Sequence, residues 1–548
     1  MKTSVLVQNQ QALQQAHALE KQGNLQAAVT IYQQLLRQNP GDAAAMFGLG
    51  RIILEAGNIE GAITLFTQLI RIAPGMAEAF NYLGIAQIRA KQFDTAITSL
   101  KQALALKPVY PEAQSNLASV YRSQKRSEEA LELYKQALAL YPESAELLNN
   151  MGAALWELKR FEEAEPLLRR ALEIDPNHLE ARKNLGVILK EIHQFDASKE
   201  TFRELFKRAP DHPEGHGIVG IVHMHDGEYE EAANYFKRAM YLSQDHGSMD
   251  VVPGTVTFVR VKHDLEQVQY LDKLGKFPSE FNSYKACLED VYGRMQSGNE
   301  KQMQLTPAER TGIAPSYNRI IYRAEAPVLK EGAINPDLDK DEIEDQFLSS
   351  TPEILIVDQL LRPEALNGLR NYCLESTVWK QEYPRGYLGT LIRNGFGSPL
   401  LIQTLEELRK AFPRIFRDHL LDQAWAFKYD STMHGINPHA DAAAININFW
   451  ITPDEANQDP ETGGLLLWDV PAPDDWPFKD YNSNTEKILD FLKDKKPNER
   501  RVSHRQNRAL IFNSTLFHKT DEFHFNDRYE HRRINITLLY GQGFSHWK

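Results

Sequence analysis

Cysteine is nearly absent. Cys287 and Cys373 are the two in 548 residues, too few for a disulfide framework or a thiolate metal site, and both fall in apolar helical contexts that suit buried free thiols. No stretch approaches the roughly 20 consecutive apolar residues of a membrane-spanning helix, and Met1 to Gln10 has one lysine and no apolar run of signal-peptide length. An excess of positive charge is missing too. The 62 Lys and Arg against 74 Asp and Glu leave −12, so the whole chain is not drawn to nucleic-acid phosphates or an anionic membrane. A cytoplasmic protein is expected, with no nucleic acid and no membrane among its partners. What is present is a globular balance, 42% apolar and 25% charged, in a chain long enough for roughly three folded units.

The first half is periodic. Pro40, Pro74, Pro108, Pro142, Pro176 and Pro210 recur every 34 residues, as do the small residues Ala28, Ala62, Ala96, Ala130, Ala164, Ser198 and Ala232. The bulky Tyr32, Phe66, Leu100, Tyr134, Leu168, Phe202 and Phe236 keep the same step, and so does the column Gly50, Gly84, Ala118, Gly152, Gly186 and Gly220. Each unit reads as a helical hairpin whose apolar face is buried only by stacking on its neighbours, with the proline stopping the second helix. Over residues 9–246, in seven units, the pattern resembles the tetratricopeptide repeat family and implies an all-α superhelix that binds a protein or peptide on its concave surface. Asn116, Asn150 and Asn184 recur one per repeat, and a carboxamide both donates and accepts. They resemble the asparagine ladder of O-linked N-acetylglucosamine transferase repeats, which implies a clamp on an extended backbone; a plain consensus position is the competing reading.

The period fails after Gln244, and GSMDVVPG (247–254) reads as a break. Helical spacing returns at Leu265, Val268 and Leu271, then at Cys287, Leu288, Val291 and Tyr292, in helices expected to cap the array or pack on the next domain. The acidic segment Glu331 to Ser350 reads as an exposed linker or lid, so 247–350 is taken as a helical connector with an acidic linker.

From 351 to 548 the chain turns to short β-rich runs bounded by Gly, Pro and Asn, which argue for a mostly β domain closed as a sandwich or barrel. In His439-Ala440-Asp441, residues two apart in a strand project to one face and can reach one metal ion. Non-haem Fe(II) oxygenases bind iron through two histidines and one carboxylate, so a second histidine from a distant strand is needed. His518 is placed for it, with His434 and His524 as rivals. In the strand after the triplet, Ile445, Ile447, Phe449 and Ile451 form an apolar face while Asn446, Asn448 and Trp450 point the other way, toward a polar pocket. Near the end Arg533, Asn535 and Thr537 oppose Ile534, Ile536 and Leu538. A guanidinium pointing inward wants a carboxylate; Arg532 is the rival, out of phase. The cluster Arg500, Arg501, Arg505 and Arg508 reads as a solvated start of a strand.

Together PHAD, TGGLLLW, FNSTLFH and RRINITLLYG resemble the 2-oxoglutarate- and Fe(II)-dependent dioxygenases, nearest the prolyl hydroxylase branch. The resemblance implies a double-stranded β-helix (jelly roll) with flanking helices, with Fe(II) held by His439, Asp441 and His518. It also implies 2-oxoglutarate gripped by Arg533 with help from Tyr429, with Asn448 facing the cofactor, and ascorbate as a possible further requirement. No acid or base beyond the metal site is implied. Tyr387 and Arg393 are candidate substrate contacts. The gap of fifteen residues from His518 to Arg533 is longer than in that branch and reads as a loop insertion, KTDEFHFNDRYEH, over the substrate. The expected activity is hydroxylation of a side chain, proline first, on a protein recruited by the repeats. A small-molecule hydroxylase and a repeat scaffold with an inert oxygenase fold are the alternatives.

Overall fold

The computed structural model describes residues 2–243, 254–314, 316–383, 386–416, 419–430 and 435–541, with side chains from Asn9 onward. The break at 247–253 and the rival ligand His434 lie outside the described residues. The chain forms two compact units, Met1–Pro210 and Asp211–Lys548.

The first unit is all helical, from Lys2–Lys21 to Phe195–Arg208. Its period has a steric cause. A Cβ at Gly84 would lie 2.7 Å from Leu100 Cγ, and one at Gly186 would lie 2.5 Å from Phe202 Cε2, so the small column exists because the bulky column sixteen positions later presses on it. The turn inside each hairpin needs one left-handed residue: glycine at Gly23 and Gly57, but Lys91, Lys125, Lys159 and His193 in later repeats, with φ of 58–63°. The expected asparagine ladder is tied repeat to repeat. Asn116 Nδ2 donates to Asn81 Oδ1 at 2.9 Å and Asn184 Nδ2 to Asn149 Oδ1 at 2.8 Å, whereas Asn150 Nδ2 turns to Glu146 Oε1 at 3.2 Å. The three asparagines named from the sequence are half-buried, and each already spends an amide hydrogen internally.

The second unit begins with the last repeat hairpin, Pro213–His225 and Tyr229–Ser243. Its Ile221, Met224 and Phe236 belong to the same apolar core as Leu369, Leu401 and Ile447. His225 Nδ1 meets Glu406 Oε1 at 3.0 Å with both side chains buried. The connector helices Phe258–Lys273 and Asn282–Gly298 share a core of Val261, Leu265, Val268, Leu288 and Val291. The first of them packs on the end of the helix Pro363–Glu375, where Gln267 Nε2 donates to the carbonyls of Leu374 and Ser376. Cys373 is a buried free thiol; Cys287 is free but half-exposed, a correction to the expectation of burial. The acidic stretch is also corrected. Lys340–Ser349 is a helix anchored by Phe347 (0% exposed) and Glu344 (2%), whose carboxylate accepts from the backbone N–H of Ile415 at 3.2 Å.

Twelve strands are present among the described residues: β1 (Thr255–Thr257), β2 (Gln302–Gln304), β3 (Ile354–Val357), β4 (Gln381–Glu382), β5 (Leu388–Leu391), β6 (Leu421–Tyr429), β7 (Ile445–Trp450), β8 (Leu465–Pro471), β9 (Glu499–Val502), β10 (Ala509–Asn513), β11 (Leu516–Thr520) and β12 (Arg533–Tyr540). Apart from the β1-β2 pair they form a seven-stranded antiparallel sheet, β3-β10-β7-β12-β6-β5-β4, and a three-stranded sheet, β11-β8-β9. One face of the large sheet (Ile445, Ile447, Phe449, Ile534, Ile536, Leu538) is covered by the helices Pro363–Glu375 and Pro399–Ala411. The other face meets the small sheet through Ile354, Trp450, Leu465, Leu467, Leu510 and Phe512. The candidate functional residues lie on this second face.

Candidate metal centre

His439 and Asp441 precede β7, and His518 is on β11. The strand geometry expected for the triplet is present only as an isolated antiparallel bridge between His439 and His518, closed by backbone hydrogen bonds of 2.9 and 2.8 Å. That bridge suffices to bring the two rings to 4.3 Å between centroids. His439 Nε2 lies 3.9 Å from Asp441 Oδ1 and His518 Nε2 3.5 Å from Asp441 Oδ2. One ligand atom from each residue falls within 4.8 Å of the others. The tautomers follow from the second contacts. His439 Nδ1 is 2.8 Å from Asn437 O and His518 Nδ1 3.0 Å from Leu516 O, and a carbonyl only accepts, so each Nδ1 carries the proton and each Nε2 presents a lone pair. Burial pushes the Asp441 carboxyl up, and burial, then the neighbouring His439 ring, pushes His518 well below the usual imidazole range. Three acceptors converge with no donor among them, an arrangement that a divalent cation satisfies.

The candidate anion anchor is on β12. Arg533 is 1% exposed and opposite Tyr429 in the β12-β6 register. Its guanidinium donates to Gly463 O (2.6 Å), Gly464 O (3.1 Å) and Asn535 Oδ1 (3.0 Å), and stacks over Tyr429 and Phe523 at 4.8 and 5.6 Å. No carboxylate lies within ion-pair distance of it among the described residues. Burial lowers the pKa of Arg533 and raises that of Tyr429, whose Oη is buried without a hydrogen-bond partner among the described residues. A buried cation with carbonyl partners only, beside an idle phenol, fits a ligand carboxylate. The Gly-Gly of TGGLLLW supplies the cradle: Gly463 has φ +86°, and a Cβ at Gly464 would lie 1.9 Å from Val502 O.

The rivals are placed elsewhere. Arg532 pairs with Glu266 and Asp430. His524 is exposed and contributes its carbonyl to Gln458 N–H. Tyr387 stacks on Tyr429 at 5.2 Å, within the aromatic cluster beside Arg533, whereas Arg393 lies against Gly217 of the last repeat hairpin. The KTDEFHFNDRYEH loop buries Phe523 and Phe525 against Tyr429 and His504. Of the basic cluster, Arg508 is not solvated but forks onto Asp358 at 2.6 and 2.9 Å. Asn448 spends its amide on Asn446 Oδ1 (2.8 Å), and its oxygen takes donors from Thr537 (2.7 Å) and Asn535 (3.3 Å). Sequence reasoning missed Asn482, whose Nδ2 reaches Ala440 O at 3.1 Å and Asp441 Oδ1 at 3.5 Å. It arrives from a helical insertion between β8 and β9 that carries no local signal.

Residues 2–217 match the family described as the cilia and flagella-associated protein 70 C-terminal domain, and 217–249 match a tetratricopeptide repeat family. The N-terminal array is a tetratricopeptide superhelix. It is a protein-interaction architecture, and no helix among the described residues is long and apolar enough to cross a membrane. Similar solved structures include the APC/C hetero-tetramer Cut9-Hcn1, with 17% identity over 42% of this chain and 45% of that chain at TM-score 0.39. A thermophilic tetratricopeptide protein from Thermus thermophilus shows 24% identity over 33% and 98% at 0.30. YrrB, a tetratricopeptide protein with an unusual peptide-binding site, shows 23% over 33% and 93% at 0.29. This chain thus spans under half of the Cut9-Hcn1 chain. No curated protein matches the sequence.

Proposed function

We propose that the C-terminal unit is a 2-oxoglutarate- and Fe(II)-dependent dioxygenase of double-stranded β-helix type, acting on a side chain, proline first, of a protein bound by the tetratricopeptide array. The observation that carries this reading is the pairing of an acceptor-only His439–Asp441–His518 cluster with a buried guanidinium that lacks a carboxylate. His439, His518 and Asp441 would hold the iron, and Arg533 with the Tyr429 hydroxyl would take the distal carboxylate of 2-oxoglutarate. Bound there, iron and cosubstrate supply the oxidising chemistry for C–H hydroxylation, with succinate and carbon dioxide as co-products. The chain's own work is positional. The two Nδ1–H contacts fix the imidazoles, Asn446 and Asn482 hold the carboxylate, and the Phe523 and Tyr429 rings keep water from the guanidinium. Tethering by the repeats raises the local concentration of a protein target, which favours a protein substrate over a small metabolite.

A repeat scaffold with an inert β unit is the second reading, favoured by family matches that end at residue 249. Capture of partners on the array, followed by incubation with Fe(II), 2-oxoglutarate and oxygen, separates the two. A captured protein that gains one oxygen atom with the wild type and not with His439→Ala supports the hydroxylase. Captured proteins that stay unmodified, with no succinate formed, support the scaffold.

A further inference from the structure

A continuous line of hydrogen bonds runs through the core from the anion anchor to the metal carboxylate. Arg533 Nη1 donates to Asn535 Oδ1 (3.0 Å), Asn535 Nδ2 to Asn448 Oδ1 (3.3 Å), Asn448 Nδ2 to Asn446 Oδ1 (2.8 Å) and Asn446 Nδ2 to Asp441 Oδ2 (2.8 Å). Thr537 Oγ1 adds a second donor to Asn448 Oδ1 at 2.7 Å while accepting from Asn535 at 3.1 Å. The line crosses from β12 to β7, whose register sets Thr537 opposite Asn448.

Its direction is not a matter of choice. A guanidinium only donates and a carboxylate only accepts, so each amide between them has one orientation that satisfies both neighbours. Every member is buried, from Asn446 at 0% to Asp441 at 6%. Adjacent positions on the same face, Leu510, Phe512 and Ile354, are apolar and pack against the small sheet. A stripe of carboxamides beside them forgoes apolar burial at successive sites, which stability alone does not favour.

We propose that Asn535, Asn448, Asn446 and Thr537 are positioning residues that fix Asp441 Oδ2 from the anion anchor, so that the affinity of the metal site depends on residues three hydrogen bonds away from it. Polarisation along an aligned donor chain strengthens its last bond, and that bond sets the orientation and donor strength of the carboxylate. The inference rests on the metal-site reading above.

The test is Co(II) titration of the metal-free full-length protein, followed by ligand-field absorption without 2-oxoglutarate. Asn446→Leu should weaken Co(II) binding about tenfold, the lower end of what loss of an outer-shell partner costs. Asn535→Leu, which touches no metal ligand, should weaken it about threefold, and the double variant should match Asn446→Leu alone because the line is already cut. Thr537→Val should weaken binding while Thr537→Ser restores it, a pair that keeps the test open if the leucine variants fold poorly. Wild-type affinity in a folded Asn535→Leu protein, or equal affinity of the Thr537 pair, would overturn the proposal. A wild type that binds no Co(II), with a spectrum indistinguishable from His439→Ala, removes the metal reading itself and this inference with it.

Discussion

Replacing Arg533 by methionine isolates what the buried guanidinium is for. In the ligand-free protein it makes hydrogen bonds to Gly463 O, Gly464 O and Asn535 Oδ1. At about 2 kcal/mol for each charge-assisted bond these gain about 6 kcal/mol, against a desolvation cost of several kcal/mol for an ion buried without a counter-charge. The two terms nearly cancel, but the variant leaves Gly463 O, Gly464 O and Asn535 Oδ1 without this donor, so Arg533→Met should lower the stability of the free protein by about 3 kcal/mol. The ligand-linked term is different. At about 100 times its dissociation constant, 2-oxoglutarate stabilises a protein that binds it by about 2.7 kcal/mol, or about 5 °C in melting temperature for a unit of this size. Thermal unfolding by circular dichroism, with metal present and with or without 2-oxoglutarate, should show that shift in the wild type and none in Arg533→Met at the same concentration. A full shift in Arg533→Met would refute the assignment of Arg533 as the carboxylate anchor.

Other predictions come from the packing. Lys125 sits in the left-handed region at φ 63°, so Lys125→Gly should stabilise the repeat array by about 1 kcal/mol, seen as a higher urea midpoint; a lower midpoint would contradict the strain argument. His504 is buried and its pKa is held down to about 3 by burial first and then by Arg533 and Arg508. The unfolded chain therefore binds a proton that the folded chain refuses, and stability is full above the ordinary histidine range and falls as pH drops below it. The loss by pH 5 is about 2 kcal/mol, and His504→Phe should flatten that limb of the denaturation profile; an unchanged limb would place the acid sensitivity elsewhere. Removing His225 takes a hydrogen-bond partner from the 0%-exposed Glu406 carboxylate and leaves its pair with Arg409, so His225→Leu should cost about 2 kcal/mol, read from chemical denaturation of the full chain. A cost near zero would mean that the last repeat hairpin is not locked through this pair.

The repeat array was legible because stacking forces the same steric solution every 34 residues: Gly84 under Leu100 and Gly186 under Phe202 are one contact repeated. The phase of β12 was legible for a similar reason, since a strand buried on both faces still sorts Arg533, Asn535 and Thr537 from Ile534, Ile536 and Leu538. Non-local facts were hidden. Nothing near Asn482 in the sequence tells that it reaches the Asp441 carboxylate, and nothing near Asn81 or Asn149 tells that they take the amide hydrogens of Asn116 and Asn184. The acidic segment misled because charge dominates its composition while Phe347 and Glu344 are the residues the helix buries. The seventh hairpin keeps the period yet shares the core of the second unit, because His225, Met224 and Phe236 pack there and the sequence period does not register what a helix packs on.

In the proposed site His439, Asp441 and His518 would hold iron beside a 2-oxoglutarate anchor at Arg533. Anaerobic titration of the purified protein with Fe(II) and 2-oxoglutarate, watching for the visible charge-transfer band of the chelate, tests it directly. The wild type should give a band that is lost in His439→Ala and weakened in Arg533→Met. A folded wild type that gives no band would contradict it and leave a tetratricopeptide scaffold joined to an inert β unit.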